Sequence, residues 1–218
     1  MSAATARKKT PTARKTAASR KKRTRRKPSD SKNLILDTTE KLMMDEGYAA
    51  VSTRRVASEL GLTAALVHYY YPTTDDLFIA LHRRMTGRQL DEMNRVFESA
   101  DPLREFWRLQ SSRARAALGV EFIALANHRK TIRAEISRYT EQAREQQARA
   151  LAPLLDRAVL DPGFCPPIAL AALLVSVARM LVNEEAIGIV RGHVEVRAFV
   201  AAALARIAVQ QKGRTSDR

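Results

Sequence analysis

Cysteine is almost missing from this chain. Cys165 stands alone, so no intrachain disulfide framework can staple the fold, and a lone loop or core thiol is expected. Glycine and proline are scarce, eight of each in 218 residues. With abundant Ala, Leu, Arg and Glu, that shortage favours helices over strands. No apolar run is long enough to be read as a membrane span; the longest, around 168–178, is too short. The usual signatures of catalysis are missing too. There is no Gly-rich phosphate loop, no Ser-centred nucleophile elbow, no HExxH and no CxxC. The four histidines, at 68, 82, 128 and 193, lie far apart in the chain without metal-ligand spacing. Glu135, Glu141, Glu184 and Glu185 read as solvated helix charges. An enzyme, a cofactor and a metal are therefore not expected, and neither is a membrane partner.

Acids are absent from the first 29 residues, which hold 12 of the 38 Lys and Arg. The other 26 basic residues face 23 acids, so the formal charge of +15 shrinks to +3 for the rest of the chain. The basicity belongs to a tail. One-sign charge and low apolar content predict a disordered arm over 1–29, with no hydrophobic run for a secretory signal. Such an arm can follow DNA phosphates or enter a minor groove; it can equally be a solvated extension. Its KKRTRRK run also fits the loose pattern of a nuclear-localisation signal.

Beyond Pro28-Ser29-Asp30 the pattern is helical throughout. Leu34, Ile35, Thr38, Leu42 and Met43 recur at helical spacing up to Gly47. Ser52 and Thr63 are natural N-caps for two short helices, the first to Leu60 and the second to Pro72. Thr73-Thr74-Asp75-Asp76 opens a fourth helix, with acids where the helix dipole favours them, continuing to about residue 98. Then come segments 103–118 and 120–126 broken at Gly119, a long helix over 128–158, a break at DPGFCPP (161–167), and helices at 168–186 and 194–210. The fold class is all-α: an N-terminal three-helix DNA-binding domain joined to a larger helical domain.

The stretch TRRVASELGLTAALVHYYY (53–71) carries the most information. Ala57 lets a second helix cross close to the first, Gly61 can take positive φ at the turn, and Val67 packs into the angle between them. That is the requirement of a helix-turn-helix, whose second helix enters a major groove. Thr63 can bond a phosphate or base edge, Ala64 and Ala65 allow close approach to a thymine methyl, and His68 and Tyr69 can reach phosphate or bases. Arg54 is placed for phosphate or guanine, while Arg55 reads as solvated and Tyr70 and Tyr71 as core.

Residues 35–81, ILDTTEKLMMDEGYAAVSTRRVASELGLTAALVHYYYPTTDDLFIAL, resemble the tetracycline-repressor (TetR) family of bacterial one-component regulators. The ordered elements are the first helix, the Gly47-Tyr48 stop, the Ser52-Thr53 cap, Val-Ala-x-x-Leu-Gly-Leu-Thr, the aromatic cluster, and a polar cap before Asp-Leu. The resemblance implies a cytoplasmic, homodimeric repressor of about nine helices per subunit, nucleoid-associated when DNA-bound and released from its operator by a small-molecule effector. It maps DNA contacts to Thr53, Arg54, Thr63, Ala64, Ala65, His68, Tyr69 and Thr74. Many members have Tyr in place of His68 and a phosphate-binding Lys in place of Thr74, so this head grips phosphate less and the basic arm can compensate.

The expected organisation is a disordered arm at 1–29, a DNA-binding domain at 30–76, an effector and dimerisation domain at 77–211, and a disordered end at 212–218. Helices near 168–186 and 194–210 would pair with a second copy as a four-helix bundle, placing the recognition helices on the order of 34 Å apart on a palindrome. Phe106, Trp107, Phe122, Leu125 and Met180 are the candidate walls of an effector cavity, whose apolar character and few fixed charges suit a lipid-like, aromatic or drug-like molecule. The alternative function is a sequence-indifferent architectural DNA binder driven by the arm.

Overall fold

A computed structural model describes residues 28–157 and 165–215, with side chains for 29–156 and 165–208. The basic run at 1–27, most of the 161–167 break and residues 216–218 lie outside the described residues.

Nine α-helices and one 3-10 turn are present among them, and no strand. They are α1 (Pro28–Glu46), the turn Tyr48–Ala50, α2 (Thr53–Glu59), α3 (Ala64–Tyr70), α4 (Thr74–Phe97), α5 (Pro102–Gln110), α6 (Arg113–His128), α7 (Lys130–Arg157), α8 (Pro167–Ala186) and α9 (His193–Thr215). Local chemistry sets the short helices. The Ser52 hydroxyl accepts from the Arg55 N–H and that of Thr63 from the Leu66 N–H, satisfying donors the first turns leave open. Thr73 and Asp76 form a reciprocal capping box at the start of α4.

The α2–α3 turn is closed by two backbone bonds. The Leu62 N–H donates to the Ala57 carbonyl (2.9 Å) and the Gly61 N–H to that of Ser58 (3.1 Å). This is the Schellman arrangement, and it needs Gly61 in the left-handed region, at φ 61°. A Cβ there would meet nothing within 4 Å, so backbone conformation rather than space requires the glycine.

Four boundaries differ from expectation. Gly119 does not break a helix: α6 runs through it, and the true interruption is at Ser111-Ser112. There the Ser111 hydroxyl bonds back to the Trp107 carbonyl at 3.0 Å, competing with continued helix. Pro28 and Ser29, assigned to the arm, already belong to α1, and α9 continues through 212–215. The boundary expected at 76/77 falls inside α4.

One core spans that boundary. Ile35, Met43, Val56, Val67, Leu77 and Phe78 cluster with Leu118, Phe122 and Leu125 of α6 and Ile132 of α7. A second core gathers Met93, Leu103, Phe106, Leu151, Leu155, Leu174 and Leu204. Helix α8 packs on α5, α6 and α7, and α9 on α5 and α7. Contrary to the reading of 168–178 as too short, the full α8 has the length and mean hydropathy (1.5) of a membrane span. Its inward face, including Ala171, Leu174, Ala178 and Leu181, is nevertheless buried within the bundle.

Candidate DNA-binding surface and central cavity

The exposed side of α3 is formed by Ala65, His68 and Tyr69. Tyr69 is the most prominent, 79% exposed, with its ring edge-on to Tyr70 at 5.2 Å. Tyr70 packs against the first core and Tyr71 is buried in it. Thr63 is exposed at the N-cap and Ala64 half-buried beside it.

His68 is tied within the head. Its Nδ1 lies 3.1 Å from the Pro72 carbonyl and its Nε2 3.2 Å from the Thr53 hydroxyl. A carbonyl only accepts, so Nδ1 carries the proton; in the neutral ring Nε2 then accepts from Thr53. The imidazole thus clamps α2 to the α3–α4 turn. Thr53 is only 5% exposed, so its hydroxyl serves this clamp.

Arg54 is exposed and makes no ion pair among the described residues. Arg55, read as solvated, instead bridges Glu46 and Glu59 at 3.0 Å each. Thr74 is half-buried at the first position of α4.

Behind the head, α4, α5, α6, α7 and α8 enclose a cavity of about 410 Å³, at the small end of the range for ligand sites. Met85, Met93, Phe122, Ile136 and Val175 supply apolar wall. Three guanidiniums, Arg115, Arg144 and Arg179, also line it, and no Asp or Glu does. Arg115 is paired with Glu92, which lies outside the cavity wall. Arg179 has a buried Nε without a hydrogen-bond partner. Burial draws its proton affinity down, Tyr139 opposes this, and Arg115 and Arg144 add to the depression.

His82, 4% exposed, also reaches the cavity wall, and its Nδ1 has no partner. Its ring stands edge-to-face with Phe122 (5.0 Å) and Tyr139 (5.5 Å). Burial holds the imidazole down to about 4 from an ordinary 6.5; Glu135 opposes this, while Arg138 and Arg83 contribute to it. Glu135 itself is held down to about 2, chiefly by the hydrogen bond from Arg83. His82 is therefore neutral at pH 7.

Three sets of contacts tie the head to the helices behind it. The Tyr48 N–H donates to Glu121 Oε2 at 2.7 Å, and Val120, Phe122 and Ile123 beside Glu121 line the cavity. Asp75, in the first turn of α4, pairs with Arg129 and accepts from the Thr131 hydroxyl at 2.9 Å. Arg84 on α4 reaches Asp37 and Glu40 of α1, both at 2.7 Å.

The family model for bacterial regulatory proteins of the tetR family matches residues 35–81, the segment that forms most of α1 through the first turns of α4. The head is similar to that of the tetR family. The HTH-type transcriptional regulator BetI of Rhizobium meliloti (strain 1021) is 27% identical over 117 residues. That match spans 54% of this chain and 54% of BetI, about half the length of each. A regulator from Saccharomonospora viridis, solved in complex with choline, superposes with a TM-score of 0.67 at 20% identity, covering 80% of this chain and 95% of that one. A TetR transcription regulator from Haloarcula marismortui gives 0.63 at 19% identity, covering 85% and 98%. At such identities the superpositions show a shared fold. The matched family is one of regulators, not enzymes.

Behind this TetR-like head the expected wall residues separate. Phe122 and Met180 line the cavity, Met180 with much of its side chain exposed. Phe106 and Leu125 do not line it: they are fully buried, Phe106 in the second core and Leu125 in the first. Trp107 packs against the second core. Helical aromatic and Leu spacing marked burial there, not a ligand wall. The expectation of few fixed charges is also overturned, since three arginines face the space. A sequence signal for one of them exists: Arg179 is the single charge between Pro167 and Asn183.

Proposed function

We propose that this chain is a DNA-binding transcriptional regulator, a homodimeric repressor of a palindromic operator released by a small-molecule effector. The observation that carries this reading is the Tyr48–Glu121 bond, because it joins the helix-turn-helix head to the helix segment that lines the cavity. A ligand that shifts α6 therefore acts directly on the turn that precedes α2. That the Saccharomonospora viridis neighbour was solved in complex with choline supports reading this fold as one that takes a small molecule.

On DNA, Ala65 and Tyr69 are the groove-facing residues, with Thr63 and Ala64 at the helix start and Arg54 on phosphate or guanine. Thr53, His68 and Thr74 act chiefly by setting the angle of α3. One head presents too little surface for high specificity, so a second copy is required. Its surface is the apolar outer side of α8 and α9, where Ile168, Leu173, Met180, Ile187, Val194 and Phe199 are exposed. The protein acts in the cytoplasm, on the nucleoid when bound.

The test is selection of bound sequences from a random DNA pool with the full-length protein. A palindrome with half-sites about one helical turn apart is expected. Recovery of no preferred sequence would instead identify a sequence-indifferent architectural binder.

A further inference from the structure

We propose that the cavity recognises an organic anion, a carboxylate or phosphate head on a compact apolar body, and rejects a quaternary ammonium such as the choline of the Saccharomonospora viridis neighbour. The proposal rests on reading the cavity as an effector site. Its wall carries three arginines and no acid. Glu92 answers one of them, Arg115. Arg144 and Arg179 make no ion pair among the described residues, and the Arg179 Nε is buried without a partner. Like charges gathered around one partly enclosed space repel one another, and a guanidinium whose nitrogen is buried loses hydration, unless an anion joins them. A guanidinium meets a carboxylate or phosphate through paired N–H donors, which is the geometry an oxyanion head supplies.

Two further features set the ligand's shape. His82, neutral and 4% exposed, offers its unpartnered Nδ1 to a polar atom of the ligand. The apolar wall of Met85, Phe122, Ile136 and Val175 then takes a hydrocarbon or aromatic body. A choline-like cation would bring a fourth positive charge into the cavity with no carboxylate to receive it. An aromatic face alone cannot offset that repulsion.

The experiment is calorimetric titration of the full-length protein, without DNA, with four probes of matched chain length. These are octanoate, octyl phosphate, octyltrimethylammonium and 1-octanol. At least one of the two anions is expected to bind, and the comparison between them identifies the preferred head. Arg179→Gln and Arg144→Gln should each weaken that binding about 10- to 100-fold, whereas Arg149→Gln, on an exposed arginine outside the cavity, should leave it unchanged. If Arg179→Gln fails to fold, Arg144→Gln carries the comparison.

Tighter binding of the cation or the alcohol than of either anion would overturn the assignment. So would absence of binding by both anions up to about 1 mM, or indifference to both arginine substitutions. Binding of an anion without release of selected DNA would refute the effector reading while the anion site stands. Release by a cation alone would refute the anion site while the effector reading stands.

Discussion

Replacing Glu121 isolates the joint between head and cavity. Its carboxylate accepts the Tyr48 N–H at 2.7 Å and lies 3.4 Å from where a Cβ on Gly47 would sit. A hydrogen bond to a charged group contributes about 1.5–3 kcal/mol, and a neutral one about 0.5–1.5 kcal/mol. Glu121→Gln keeps an acceptor and should cost about 1 kcal/mol, while Glu121→Ala strands a partly buried N–H and should cost about 2 kcal/mol. Gly47 sits at φ 82° and ψ 167°, a region essentially reserved for glycine, so Gly47→Ala adds backbone strain of about 1–3 kcal/mol and crowds the same carboxylate. The two sites share a partner, so the double variant should be less destabilised than the sum of the singles. Urea denaturation, monitored by circular dichroism and extrapolated linearly, measures the parent and all four variants. A Glu121→Ala protein within about 0.5 kcal/mol of the parent, the range of an ordinary surface change, would refute the joint.

Three other outcomes are expected. Gly61→Ala should destabilise the head by about 1–2 kcal/mol, because its left-handed φ and not lack of space sets the cost; an unchanged denaturation midpoint would contradict this. Between pH 6.5 and about 4 the unfolded chain protonates His82 while the folded chain does not, so stability falls as pH falls through that window, by about 3 kcal/mol from this residue. Measured in urea at successive pH values, His82→Phe should flatten the profile there; an unaltered slope would refute the assignment. Arg54→Ala should lower the salt slope of DNA binding by about one counterion with stability unchanged, as read by anisotropy at several salt concentrations.

The parts legible in the sequence are those decided within a few residues. Ser52, Thr63 and Thr73 cap helices through their own neighbours, and Gly61 closes a turn through bonds to Ser58 and Ala57. The tetR-family segment is made almost wholly of such signals. Gly119 misled because a helix interior tolerates glycine at a cost of only about 0.5–1 kcal/mol against Ala, which the packing of α6 offsets. His68 could not be placed, since its partners Thr53 and Pro72 come together only when α2 crosses α3. The cavity was harder still. Arg115, Arg144 and Arg179 come from three different helices, and nothing in the spacing of Phe106 or Leu125 distinguishes a core face from a ligand wall.

The most direct test of the central claim, that this is a sequence-specific regulator, is competitive binding by fluorescence anisotropy. A labelled selected palindrome would be titrated with full-length protein at physiological salt in excess nonspecific DNA. A preference of at least about 10³-fold for the palindrome is the predicted result. Equal affinity for both DNAs would contradict it.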